Sequence, residues 1–90
     1  MHITMVKKEL RDGRPCRKCE QAMDTLMARK VWNRIDEVVV AKEGDAGSPG
    51  VQLAAKHNVD VAPFFVVRDD AGEQVYTSVM LLIKERLTAA

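Results

Sequence analysis

Between Cys16 and Ala41 the hydrophobic period changes once, and the change confines the chain to an architecture that mixes helix with parallel strand. From Cys16 to about Val31 the apolar positions Cys19, Ala22, Met23, Leu26, Met27 and Val31 recur every three or four residues, with Glu20 and Asp24 early and Arg29 and Lys30 late. The spacing predicts an amphipathic helix whose charges complement its dipole. Ile35 to Ala41 then carries Val38, Val39 and Val40 in succession. Such a β-branched run is expected for a strand buried on both faces of a parallel sheet. Ile3 to Lys8 precedes the helix as a strand and ends in the polar, arginine-rich loop Glu9 to Pro15, so the first half reads as a βαβ unit.

The second half continues with a turn-rich stretch, Glu43 to Gly47, before Ser48 as N-cap and Pro49 at the first helical position. Val51, Leu53, Ala54 and Ala55 follow, and Asn58 closes a short second helix. Phe64 to Val67 is a further apolar strand, Asp69 to Gly72 has turn chemistry, and Gln74 to Thr77 reads as the returning strand of a hairpin. Thr77 or Ser78 then caps a last helix carrying Val79, Met80, Leu82, Ile83 and Leu87. The expected fold class is α/β, in the order β-α-β-α-β-β-α, with four strands in a mixed sheet flanked by three helices and a right-handed crossover first.

A chain of 90 residues allows one core, so residues 1–90 are expected to form a single domain. The 14 basic and 13 acidic residues leave a formal net charge of +1, which points to neither nucleic acid nor membrane as a partner. No apolar run is long enough to span a bilayer and the N-terminus has no signal-like pattern, so a cytoplasmic location is expected. There are two cysteines, Cys16 and Cys19, in the run Cys16-Arg17-Lys18-Cys19 at the start of the first helix. A disulfide between them closes too short a loop to restrain the unfolded chain, which in a reducing compartment leaves redox catalysis or metal binding.

Positions three apart share a helix face, so the two sulfurs can meet or separate without moving the fold. Cys16 lies at the helix start, where free N–H groups and the dipole stabilise a thiolate. Arg14, Arg17 and Lys18 add positive charge there, and a Cys16 pKa between about 3.5 and 7.5 is expected. Cys19 falls on the stripe of Met23, Leu26 and Met27, so it is expected to face inward, with the higher pKa. Stabilising the reduced thiolate moves the couple toward more oxidising potentials.

The element order, the C-x-x-C at the start of the first helix and the stretch Val61-Ala62-Pro63-Phe64-Phe65 entering the third strand together resemble the thioredoxin superfamily, and in length its small glutaredoxin-like members. The resemblance covers essentially the whole chain. It implies the thioredoxin fold and a thiol:disulfide oxidoreductase in which Cys16 is the nucleophile and Cys19 resolves the mixed disulfide. It also implies a cis bond before Pro63, which walls the site, and a backbone at Ala62 that pairs with substrate. The redox-active disulfide is then the only cofactor. The partners implied are a disulfide-containing protein and a reductase or glutathione that recharges the pair; Arg17 and Lys18 are expected, from their charge, to contact the substrate.

The chain departs from the family in several places. Pro15 precedes the motif and Arg17-Lys18 fill it, in place of the W-C-G-P-C of thioredoxins or the C-P-Y-C of glutaredoxins. Leu10 stands six residues before Cys16, where thioredoxins keep a carboxylate. In place of the glutaredoxin Gly-Gly pair there are only Gly72 and then Thr77-Ser78, so protein dithiol exchange is the expected reaction.

The alternative is a binding module. Half of a zinc site with His2 or His57, or a metal or iron–sulfur cluster shared between two chains, would use the same cysteines, and docking to a redox partner without turnover is the other form. The basic run Arg11, Arg14, Arg17 and Lys18 reads first as a solvated loop and second as a selector of acidic partners. His57 is expected at a helix end, Trp32 and Tyr76 in packing or at the surface, and Met23, Met27 and Met80 in the core. In a regular strand Phe64 and Phe65 face opposite sides of the sheet, with at least one in the core.

Overall fold

The computed structural model describes residues 1–88. Its elements run β1 (His2–Glu9), α1 (Arg17–Ala28), a 3-10 turn (Trp32–Arg34), β2 (Glu37–Lys42), α2 (Pro49–His57), β3 (Phe64–Asp69), β4 (Gly72–Tyr76) and α3 (Val79–Leu82), which continues as a π-helical turn over Ile83–Leu87. The strands form one mixed sheet in the order β2-β1-β3-β4. β1 pairs parallel with β2 and antiparallel with β3, and β3 forms a hairpin with β4. The expected element order is the observed one. Among the described residues no helix is long and apolar enough to cross a membrane.

Strand alternation divides the core between the two faces of the sheet. Ile3 and Met5 of β1 and Phe65 and Val67 of β3 pack with Ala22 and Leu26 of α1 and with Leu82, Ile83 and Leu87. Val6, Phe64 and Val66 pack on the other face with Leu53 and Ala54 of α2 and with Val59. Phe64 and Phe65 are thus both core residues, one on each face. Each side chain buried this fully contributes about 1.5–3 kcal/mol.

The valine run of β2 differs from expectation. Val38 is 40% exposed and Val39 and Val40 are half-buried, because β2 is an edge strand and the doubly buried positions fall to β1 and β3. Met27 and Met80 also lie outside the core, at 50% and 48% exposure. A helix laid on one face of a sheet buries a single stripe; in α1 that stripe is Cys19, Ala22 and Leu26, with Met23 packed at its margin. Trp32 packs against the same core, and Tyr76 is buried with its hydroxyl donating to Glu85 at 2.9 Å.

The helix ends follow from local chemistry. α1 stops at Ala28, short of Val31, in a Schellman turn: Val31 N–H donates to Leu26 O and Lys30 N–H to Met27 O, each at 3.0 Å, with Lys30 left-handed at φ 60°. Val31 then packs with Leu26 in the core. α2 ends the same way, with Asn58 at φ 55° and Val59 N–H on Ala54 O at 2.9 Å. Ser78 caps α3, accepting from Leu81 N–H at 3.2 Å. Ser48 holds the N-cap position of α2, but its hydroxyl does not cap. It accepts Lys42 N–H and donates to Asp45 O, each at 3.0 Å, so it ties the end of β2 to the loop before α2.

Candidate active site

Beyond Glu9 the chain turns back on itself before α1 begins. Leu10 N–H donates to Arg14 O at 2.8 Å and Gly13 N–H to Leu10 O at 2.9 Å, while Glu9 bridges Pro15 in antiparallel fashion. Gly13 sits at φ 86°, open to glycine without a Cβ penalty. This small hairpin delivers Cys16 to the N-cap of α1, where its N–H donates to Lys8 O at 3.2 Å. Cys19, one turn on, is 1% exposed and its Sγ accepts the N–H of the same Lys8 at 3.2 Å. One residue of β1 therefore anchors both cysteines, the first half-exposed and the second buried, and both are free thiols.

The surroundings separate the two thiols electrostatically. Partial burial acts to raise the pKa of Cys16. The Cys19 N–H and thiol, the Lys18 N–H and the Lys8 ammonium outweigh it, and the group ends below its ordinary value. Burial pushes Cys19 the other way, to about 11, opposed by the Lys8 N–H and reinforced by hydrogen bonding and charge from Cys16. At neutral pH Cys19 is a neutral donor facing a nucleophile-prone Cys16.

Two charged residues of this region were not singled out by sequence reasoning. The Lys8 ammonium lies 3.2 Å from Glu43 Oε2, and Glu43 Oε1 also receives the Arg11 N–H at 3.4 Å. Hydrogen bonding from Lys8 and Arg11 holds the Glu43 carboxyl below its usual range. The signal for this cluster was the βαβ reading itself, since parallel β1 and β2 end on the same side and bring Lys8 beside the residue that follows Lys42. Of the basic run, Arg14 pairs with Asp12 at 2.6 Å and Arg11 approaches Glu43 at 3.9 Å. Arg17 and Lys18 are exposed.

The β1–β3 pairing ends at Val6 and Phe64. Ala62 and Pro63 lie just before Phe64, in a bend beyond the last pair of that ladder. The Ala62–Pro63 peptide is cis, and both residues are half-buried. His2 begins β1, far along the strand from Cys16, and His57 ends α2 with a buried, unpartnered Nε2. Among the described residues no group of three or more His, Cys, Asp or Glu side chains is placed to hold a metal ion. A depression of about 320 Å³ lies at the far end of β1, lined by His2, Glu37, Lys56 and Glu73 among others. Its charges approach one another, His2 to Glu37 at 3.9 Å and Lys56 to Glu73 at 3.8 Å, and it takes no part in the cysteine site.

Comparison with protein-family models, curated proteins and solved structures finds no match for this chain.

The unequal thiols predict a pH signature. Iodoacetamide is expected to modify Cys16 along a titration whose midpoint lies below that of an ordinary thiol, and Cys19 only as the pH approaches about 11. Lys8→Gln removes a positive charge beside Cys16 and is expected to move its midpoint upward, read by mass spectrometry of the alkylated peptide across pH. Equal rates at the two cysteines would refute the asymmetry.

Proposed function

We propose that this chain is a thiol:disulfide oxidoreductase of the thioredoxin superfamily, with the thioredoxin fold, acting on protein disulfides through a mixed disulfide at Cys16. The observation that carries the reading is the inequality of the two thiols at one helix start: Cys16 accessible with a lowered pKa, Cys19 buried with a raised one. The four-stranded order β2-β1-β3-β4, with one helix layer on each face, supports it as well.

In this reading the Cys16 thiolate attacks one sulfur of the substrate disulfide. A Cys16–substrate S–S bond forms, the substrate bond breaks, and the departing sulfur takes a proton. Cys19 then loses its proton and attacks the Cys16 sulfur, which releases the second substrate thiol. The substrate gains two electrons and two protons, and the chain, having given up two electrons, is left as a Cys16–Cys19 disulfide until a reductase or another dithiol resupplies them. The raised pKa of Cys19 delays the second attack until its proton has a destination. Arg17 and Lys18 flank the mixed disulfide and favour acidic segments, while Ala62 and Pro63 supply backbone and wall to the substrate chain. A reducing cytoplasm suits such a cycle, which needs no cofactor beyond the cysteine pair.

The test is equilibration of the purified protein with glutathione or dithiothreitol buffers, read by thiol alkylation. A reversible two-electron transition at a potential above about −270 mV is expected. Alkylation blocked until a chelator is added would replace the enzyme with a metal-binding module.

A further inference from the structure

The two edges of the sheet are guarded very differently. β4 presents Gly72, Glu73 and Gln74, and Arg86 fastens it from the π-helical turn, donating to Gln74 at 3.0 Å and to Asp69 at 2.9 Å. β2 presents Val38, Val39, Val40 and Ala41 and has neither proline nor an internal charge. Such an edge is a template for further strand pairing unless something covers it. Asp36 donates its N–H to Ile3 O at 2.9 Å, so by parallel alternation Val38 and Val40 also turn their backbone groups to β1, and those of Glu37, Val39 and Ala41 point outward.

We propose that β2 pairs antiparallel with β2 of a second copy of this chain, about a two-fold axis at Val39, to form a continuous eight-stranded sheet. The side chains select both the partner and the register. With the axis at Val39, Val38 faces Val40 of the second copy, Glu37 faces Ala41, and the exposed Asp36 faces the exposed Lys42. Valine meets valine, Glu37 meets only the small Ala41, and an Asp–Lys pair closes each end. An axis at Val40 would set Lys42 against Val38, and one at Val38 would set Asp36 against Val40, so each mismatches charge with valine. The Val39 register also joins residues whose free N–H and C=O groups point outward. It covers Val38, which is 40% exposed and belongs to no core cluster. Because the strands run oppositely, the two cysteine sites fall at opposite ends of the dimer and stay open.

Sedimentation equilibrium of the full chain, reduced, tests the proposal. A mass of twice 10.1 kDa is expected, reverting to 10.1 kDa in Val38→Lys, whose exposed position keeps the circular dichroism unchanged. The register has its own test on a Cys16→Ser, Cys19→Ser background. Val39→Cys is expected to cross-link with itself on oxidation, since facing residues of a hydrogen-bonded pair lie about 5.5 Å apart at Cα, within disulfide reach. Val38→Cys, offset from its own copy, is expected to cross-link at least about tenfold more slowly. A monomer at concentrations up to about 1 mM would overturn the proposal. So would a dimer that Val38→Lys leaves intact, or equal cross-linking at both positions.

Discussion

Disulfide reductase activity is expected to fall by about a thousandfold or more in Cys16→Ser, to the rate of the uncatalysed exchange. Serine in the same N-cap position keeps the N–H bond to Lys8 O and the helix start, so the loss is chemical rather than structural. Cys19→Ser is expected to fail differently. Cys16 remains accessible and still attacks, but nothing displaces the substrate, and a mixed disulfide accumulates that non-reducing electrophoresis and mass spectrometry detect. The two variants therefore separate the roles proposed for the two cysteines. Full activity in Cys16→Ser would remove that residue from the reaction, and accumulation of the adduct in Cys16→Ser instead would exchange the two roles.

The second large effect lies in the scaffold. Gly50, the second residue of α2, is buried against the backbone of β2. A Cβ there would sit 2.5 Å from Val40 C and 2.6 Å from Ala41 Cα, with Ala41 N closer still. Backbone on both sides cannot rotate away as a side chain can. Gly50→Ala is expected to cost about 3 kcal/mol by forcing α2 off the sheet. For a domain of this size that lowers Tm by roughly 12–24 °C, measured by circular dichroism on the reduced protein. Gly13→Ala is the control. Its Cβ meets nothing within 4 Å and only the φ of 86° opposes it, a cost of about 1–2 kcal/mol. If the two variants melted together, close approach would not be what fixes α2 on β2.

Local chemistry was the legible part of this chain. The limits of α2 follow from Pro49 and Asn58, which act within a few residues of themselves, and the hairpin from the turn at Asp69 to Gly72. The burial of Cys19 follows from where it falls on the α1 stripe, and the accessibility of Cys16 from its place at the helix start. Lateral order was not legible: three successive valines look the same in a central strand and at an edge, and only the pairing of β1 with β3 sends β2 outward. The end of α1 depends on Lys30 taking a left-handed conformation that its side chain does not announce. Glu43 joins the site through a contact 35 positions away from Lys8 in the chain, which periodicity does not record.

The loop that carries the first cysteine is closed at its base by Glu9 and Pro15 and by the bond from Cys16 N–H to Lys8 O. Residues Arg11 to Arg14 are part of that closure, since Arg14 O accepts Leu10 N–H and Arg11 N–H donates to Glu43, the partner of Lys8, so an exchange of this turn reaches the charge beside the sulfur as well as its approach side.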